Sequence, residues 1–310
     1  MDEPLAIEVS GLTRRFPGVD AVNGLSFNVR AGEIFGLVGP DGAGKTTTMR
    51  MLAGVMTPDE GRASVGGFDA AESPEQLKRH ISYMPQRFGL YEDLTMDENI
   101  RFYADLFGVN RTEREDQAAR LLAASGMVEF RSRLAGKLSG GMKQKLGLVC
   151  ALIHKPSIIL LDEPTNGVDP VSRREFWRIL YSLLAEGITI LTTTAYLDEA
   201  ERCNRVGILH QGRMLFCDTP ARLKTHLAGA VVNVTSIDAR RVHRDLLHAD
   251  GVASAVLVGD GVHLVVDNAA RRIPELKSKL STDGVPFNDF RQITPTIEDL
   301  FVAAVEGRTN

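Results

Sequence analysis

The sequence is poor in cysteine, lacks long apolar runs and has no excess of positive charge. Its three cysteines, Cys150, Cys203 and Cys217, form no close-spaced pair, which argues against a disulfide framework or a zinc site and favours a reduced, cytosolic compartment. A net charge of −4 provides no basic surface, so no nucleic-acid partner is expected. No apolar run is long enough to span a bilayer, and residues 1–4 do not resemble a signal peptide. Any membrane association is therefore expected to come through a partner.

The length of 310 residues suits one large domain and a smaller one. Strand-like and helix-like segments alternate up to about residue 228, which indicates a largely parallel sheet covered on both faces. From residue 229 the order changes to strand, helix, two strands, helix and strand, which is typical of a ferredoxin-like fold. We therefore predict an α/β domain at residues 1–228 and a small α+β accessory or regulatory domain at residues 229–310.

A glycine-rich stretch lies between an apolar run at residues 34–38 and a helix-like run at residues 47–53. It reads Gly-Pro-Asp-Gly-Ala-Gly-Lys-Thr-Thr and fits the pattern G-x-x-x-x-G-K-[ST] in its strand–loop–helix context. Glycines let backbone N–H groups surround a phosphate, and the helix N-terminus favours negative charge. The sequence therefore predicts a nucleoside triphosphate site. Its predicted residues are Gly39, Pro40, Asp41, Gly42, Ala43, Gly44, Lys45, Thr46 and Thr47.

Two acidic residues end the apolar run at residues 158–161, which has the pattern of a buried strand. Ligands bind at the carboxyl ends of such strands, so Asp162 can hold a Mg²⁺ ion that bridges the phosphates, together with the Thr46 hydroxyl. Glu163 is placed to orient or deprotonate an attacking water. Farther back in the chain, the small residues Ser139, Gly140 and Gly141 open a helix, and their N–H groups offer a second anion-binding point.

These segments together resemble the ATP-binding subunits of ABC transporters, over about residues 5–225. In that resemblance residues 39–47 form the Walker A loop, and residues 160–164 form Walker B with its catalytic glutamate. Residues 138–144 correspond to the signature motif. The implied fold is a P-loop NTPase with a RecA-like core, a β subdomain and a helical subdomain at about residues 88–150.

The resemblance also implies individual roles. Lys45, Gln86 and Glu163 would act in catalysis, with Gln86 joining Thr46 and Asp162 around Mg²⁺. Phe16 sits where the family places an aromatic ring against adenine. Two nucleotide-binding domains close head to tail in this family. The residues that would then serve the partner's ATP are Ser139, Gly140 and Gly141.

Two further stretches narrow the resemblance. Residues 89–95 and 294–301 resemble exporters with ABC-2 type permeases, the daunorubicin-resistance-like group, and the phosphate loop is especially like the first half of two-headed multidrug-exporter ATPases. This implies export of drugs or other hydrophobic compounds, from a cytoplasmic position at the inner face of the plasma membrane. Phe88, Leu90 and Tyr91 fit either internal packing or a groove that faces the permease.

Two departures from the family pattern affect the site. Ala195 stands where the family has a switch histidine, so that position has no donor for the γ-phosphate. Asp41 replaces the usual asparagine and brings negative charge near the triphosphate, which would weaken ATP binding unless the carboxylate is paired or turned away. These two residues would weaken this chain's own site, whereas its signature, which would serve a partner's ATP, is intact. A heterodimer with a partner whose Walker motifs are intact is therefore slightly favoured over a homodimer. A low-turnover regulatory subunit and a soluble ABC ATPase remain as alternatives.

Overall fold

A computed structural model describes residues 4–259 and 261–306. Residue 306 is described by its backbone alone. The expectation that no signal peptide is present rests on residues 1–4, and residues 1–3 lie outside the described residues. The chain divides into two compact units. The first consists of the described residues of 1–196 and 203–217, and the second of those of 197–202 and 218–310.

The first unit contains a four-stranded sheet built largely from one long hairpin. Its strands are β1 (Leu5–Phe16), β2 (Val19–Arg30), β4 (Glu60–Val65) and β5 (Phe68–Asp69), in the order β2-β1-β4-β5. The hairpin strands are longer than the sequence predicts. Arg15 pairs with Asp20 and Phe16 pairs with Val19, so a segment expected to be a connection continues the ladder as far as Phe16.

A six-stranded sheet organises the rest of the first unit. Its strands are β3 (Ile34–Val38), β6 (Ile81–Met84), β7 (Ile158–Leu161), β8 (Thr189–Thr194), β9 (Arg205–His210) and β10 (Arg213–Asp218). They lie in the order β10-β9-β3-β8-β7-β6, and the pairs from β9 to β6 are parallel. Every residue of β3, β7 and β8 is buried, so the predicted sheet covered on both faces is confirmed.

Six helices of the first unit cover this sheet or extend from it. They are α1 (Lys45–Leu52), α2 (Pro74–His80), α3 (Met96–Leu106), α4 (Arg111–Ala124), α5 (Gly140–Leu152) and α6 (Pro170–Ala185). Short 3₁₀ turns occur at Val128–Phe130 and Ala135–Lys137. Helix α3 begins at a capping box, in which Thr95 accepts from the Glu98 N–H and Glu98 accepts from the Thr95 N–H. None of the helices in the described part of the chain combines the length and the apolar character needed to cross a membrane.

The second unit is built on a four-stranded antiparallel sheet backed by two helices. Its elements are β11 (Ala230–Thr235), α9 (Ala239–Leu246), β12 (Val252–Val258), β13 (Gly261–Val266), α10 (Ala269–Thr282) and β14 (Asp289–Ile293). The strands lie in the order β12-β13-β11-β14, with antiparallel neighbours throughout. Val234, Leu246 and Leu276 belong to the core between sheet and helices. This is the predicted ferredoxin-like order of strands and helices.

Three short helices complete the second unit: α7 (Leu197–Ala200), α8 (Pro220–Lys224) and α11 (Ile297–Glu306). Helices α7 and α8 both contact α11, so residues 197–202 and 218–228 group with the second unit, although the sequence places them in the first domain. Helix α11 is not predicted from the sequence pattern. Thr296 caps its start: the Thr296 hydroxyl accepts from the Asp299 N–H, while the Asp299 carboxylate accepts from the Thr296 N–H.

Asp299 also joins α11 to the sheet. It is fully buried, and its Oδ1 lies 3.0 Å from His263 Nδ1 on β13. Burial raises the pKa of the Asp299 carboxyl, but hydrogen bonds from His263 and Thr296 outweigh it and hold that pKa below its ordinary value. The charged carboxylate is therefore favoured in the folded state.

Asp299→Ala is expected to lower the free energy of unfolding by about 2–3 kcal/mol, because it removes both the helix cap and the buried partner of His263. Guanidinium unfolding followed by circular dichroism measures the loss. The matched control is Asp289→Ala, which removes an exposed carboxylate paired with Arg291 and should cost less than about 0.5 kcal/mol. Equal, small losses from both variants would contradict a stabilising role for Asp299.

Candidate functional site

A cavity of about 440 Å³ opens beside the loop that joins β3 to α1. It is formed by the β1–β2 hairpin, by this loop with the start of α1, and by residues that follow β6 and β7. The lining residues are Phe16, Val19, Ala21, Asp41, Gly42, Gly44, Lys45, Thr46, Thr47, Gln86 and Glu163. Nine of the predicted site residues therefore share one cavity, while Ala43 packs into the core instead.

Two glycines of the loop are required by close backbone approach. Gly44 has a φ of +101°, and a Cβ there would collide with the carbonyl oxygen of Ala21. A Cβ at Gly39 would collide with the carbonyl oxygen of Leu209. Helix α1 begins at Lys45, directly after this turn, so the loop N–H groups lie at the positive end of the helix dipole.

The Lys45 ammonium group is buried among oxygen atoms. It donates to the carbonyl oxygens of Gly39 at 2.8 Å and Pro40 at 3.0 Å, and it lies 3.0 Å from Glu163 Oε1. Both side chains of this ion pair are almost fully buried, so removal of either one would leave the other as an unpaired buried charge. A phosphate group in the cavity would compete with Glu163 for Lys45.

Asp162, the residue after β7, lies within hydrogen-bonding distance of three hydroxyl groups. Its Oδ1 accepts from Thr193 at 2.8 Å and from Thr46 at 3.1 Å, and its Oδ2 lies 3.4 Å from the Tyr83 hydroxyl. Burial raises the pKa of the Asp162 carboxyl. Burial, and then the charge of Asp162, raises the pKa of Tyr83 to about 12. Asp162 and Thr46 present adjacent oxygen ligands of the kind that Mg²⁺ takes, and a cation there would offset the cost of the buried carboxylate.

Glu163 lies in a strained backbone conformation at the edge of the cavity. Its φ is +49°, in the left-handed region that non-glycine residues rarely adopt. Its Oε2 accepts from Gln86 Nε2 at 2.9 Å and from Asn166 Nδ2 at 3.2 Å. The carboxylate is therefore held in place and also lines the cavity, where it can contact a water molecule.

The comparisons with known proteins agree with this geometry. The ABC transporter family model matches residues 22–166. The chain is 33% identical over 309 residues to the daunorubicin resistance ATP-binding protein DrrA2 of Streptomyces coeruleorubidus. The match covers 98% of this chain and 96% of that protein. The chain belongs to the ABC transporter family. The resemblance to daunorubicin-resistance ATP-binding proteins is likewise confirmed.

Two further comparisons extend this result. The chain is 45% identical over 305 residues to the probable multidrug ABC transporter ATP-binding protein YbhF of Escherichia coli (strain K12), covering 97% of this chain. It spans only about half of that relative, 52% of its length. A solved structure of an ATP-binding subunit of an ABC transporter is 33% identical, with a TM-score of 0.65, and covers 71% of this chain and 92% of that one. The predicted ABC ATPase fold is therefore confirmed.

The residues that resemble the family's signature lie apart from the cavity. Ser139 caps α5 by accepting from the Met142 N–H at 3.3 Å, and Ser139 and Gly140 are exposed. Gly141 is buried against Ser172 of α6, where a Cβ would collide with the serine side chain. None of the three lines the cavity that the Walker A loop forms.

Ala195 and Asp41, which depart from the ABC pattern, are both exposed. Ala195 directly follows β8, whose last residue, Thr194, accepts from the Gly39 N–H at 3.3 Å. Position 195 therefore lies next to a residue that contacts the Walker A loop, but it offers no side-chain donor. Asp41 lines the cavity, so its charge adds to that of Glu163 near the expected triphosphate.

Three residues that contact the acidic pair are missing from the sequence prediction: Thr193, Tyr83 and Asn166. Thr193 and Tyr83 lie near the carboxyl ends of β8 and β6, the two neighbours of β7. The rule that ligands bind at the carboxyl ends of parallel strands could have identified them. The position of Asn166 depends on the turn after Glu163, in which the Asn166 N–H donates to the Glu163 carbonyl oxygen. The sequence pattern contains no signal for the contact between the Asn166 and Glu163 side chains.

Proposed function

We propose that the chain is the ATP-binding and ATP-hydrolysing subunit of an ABC-2 type membrane exporter for drugs or other hydrophobic compounds. One observation supports the hydrolytic step above all: Lys45, Thr46 and Glu163 line one cavity, and Asp162 contacts Thr46. The export step is supported by the names of two relatives, a probable multidrug ABC transporter protein and a daunorubicin resistance protein.

In this proposal Glu163 orients a water molecule and accepts its proton as the water attacks the γ-phosphate. Lys45 exchanges Glu163 for the β- and γ-phosphates, which leaves the glutamate free to face the water. Gln86 keeps its bond to Glu163 and reports the state of the nucleotide. Phe16, with 40% of its surface exposed, stacks against adenine.

The residues present fit a Mg²⁺ ion at Thr46 and Asp162, with Gln86 close by. Among the described residues, no group of three or more His, Cys, Asp or Glu side chains could hold a metal on its own. Mg²⁺ usually takes one or two protein oxygens and completes its shell with substrate phosphates and water, which this donor set allows. When bound, the ion would neutralise charge that develops on the phosphates.

A second nucleotide-binding domain completes the site. Ser139 is exposed and lies outside the cavity of its own chain, which supports its use against a partner's ATP. Asp41 and Ala195 weaken this chain's site while its signature stays complete, so we favour a pair of unequal domains. The same two residues support the second candidate function, a subunit that binds ATP and turns over little.

The permease would dock in an apolar groove of about 430 Å³ on the first unit. One side of the groove is lined by Tyr103 and Leu106 of α3 and by Phe107, the residue after that helix. Another side is lined by Phe88, two residues after Gln86. Phe88 also packs on Tyr103, with ring centroids 5.0 Å apart, so internal packing and groove lining both apply to it. Leu106 is 65% exposed, which favours a partner over the groove. The chain would then lie on the cytoplasmic face of the membrane.

Leu106→Glu is expected to reduce co-purification with a co-expressed polytopic permease about tenfold or more, because it places a charge in the groove. Val128→Glu is the matched control, since Val128 is 54% exposed and lies outside the groove. Both variants should keep Mg²⁺-dependent ATP binding. Retention of the permease by Leu106→Glu would contradict the docking groove, and absence of Mg²⁺-dependent hydrolysis in the intact complex would contradict the ATPase.

A further inference from the structure

Thr193 makes contact with both residues of the acidic pair. It lies one residue before the end of β8, and its surface is fully buried. Its hydroxyl donates to Asp162 Oδ1 at 2.8 Å and accepts from the backbone N–H of Glu163 at 2.9 Å. A single hydroxyl group therefore joins the proposed metal-holding residue to the proposed water-orienting residue.

The bond from Thr193 to Asp162 differs in kind from the one that Thr46 makes. Thr46 donates to the same oxygen at 3.1 Å, but a cation at the site would take over the Thr46 hydroxyl oxygen. Thr46 would then no longer orient the carboxylate. Thr193 comes from a different strand, so its bond can persist with a cation present and keep Asp162 in one orientation.

The bond from Glu163 to Thr193 acts on the strained peptide. A φ of +49° persists only where the surroundings determine it strongly. The Glu163 N–H is the group that this conformation directs at Thr193, so the contact holds the peptide that sets where the side chain points. Loss of the hydroxyl would leave a buried N–H without this acceptor.

We propose that Thr193 is a positioning residue for ATP hydrolysis, acting on cation binding through Asp162 and on the attacking water through Glu163. The inference rests on the proposed function, since it concerns the same hydrolytic site. Ala195, two residues farther along, has no side-chain donor. Thr193, in contrast, contacts both residues of the acidic pair.

Three variants test the assignment. Thr193→Val keeps the shape and removes the hydroxyl, and Thr193→Ser keeps the hydroxyl. Thr192→Val is the matched control, because the alternation along β8 turns this buried neighbour to the other face of the sheet. Two measurements are made: Mn²⁺ binding to the full chain in the presence of ATP by electron paramagnetic resonance, and steady-state hydrolysis by the intact complex.

Thr193→Val should weaken Mn²⁺ binding about tenfold and lower kcat at this chain's own site about tenfold or more, the size expected for one hydrogen bond to a charged group. The KM for ATP should change little, while Thr193→Ser and Thr192→Val should resemble the parent chain. Parental Mn²⁺ binding by Thr193→Val would overturn the inference, and so would equal losses in Thr192→Val. If the parent complex does not hydrolyse ATP, the proposed function fails, and Mn²⁺ binding still decides the role of Thr193.

Discussion

Replacing Glu163 with glutamine should lower ATP turnover at this chain's own site about a hundredfold or more while Mg²⁺-dependent ATP binding is retained. Glutamine keeps the size of the side chain and can still interact with Gln86 and Asn166, but it cannot accept a proton from water. It also removes the carboxylate that pairs with Lys45. The phosphates of ATP then meet a lysine without a competing anion, so binding should not weaken.

Two measurements separate these effects: equilibrium binding of a fluorescent ATP analogue, and phosphate release under saturating ATP. Glu115→Gln is the matched control, because Glu115 is an exposed carboxylate paired with Arg111 and outside the cavity. Parental turnover by Glu163→Gln, in a complex that was active beforehand, would remove Glu163 from its assigned role. In a complex of two unequal domains a second, intact site limits the loss of total turnover, so single-site occupancy is measured as well.

A larger and more informative effect is expected at Ser139. In the proposed unequal pair, Ser139→Arg places a long cationic side chain at the N-terminus of α5, where the partner's ATP would bind, and should abolish most hydrolysis. Lys45→Ala disables only the site of this chain, which Asp41 and Ala195 are expected to weaken, and should leave a substantial fraction of the activity. The expected result is therefore a strong inequality between the two variants.

The purified complex is first analysed for the number of distinct nucleotide-binding chains, and both variants are then assayed in it. Asn110→Arg is the matched control, because Asn110 also caps an exposed helix, α4, by accepting from the Glu113 N–H. It should leave hydrolysis near the parental rate. A homodimer in which Ser139→Arg and Lys45→Ala cause the same deep loss would disprove the unequal pair.

The sequence alone determined the elements of the nucleotide site, because these depend on local chemistry. A strand, a glycine-rich turn and a helix are specified by neighbouring residues, and Lys45 and Thr46 follow the turn directly. The carboxyl end of a buried strand likewise places Asp162 and Glu163 at the edge where ligands bind. The ferredoxin-like order of the second unit could also be predicted, since each of its strands and helices has its own apolar pattern.

The tertiary structure decided which side chains meet at that site. Thr193 is 31 positions from Asp162 in sequence and contacts it only because β7 and β8 are parallel neighbours. The carbonyl of Ala21 makes glycine necessary at position 44, which depends on the β1–β2 hairpin lying against the loop. Such contacts arise from the pairing and packing of distant segments, and no local sequence signal encodes them. For the same reason the boundary of the second unit followed the contacts of α11 and not the change in sequence pattern near residue 228.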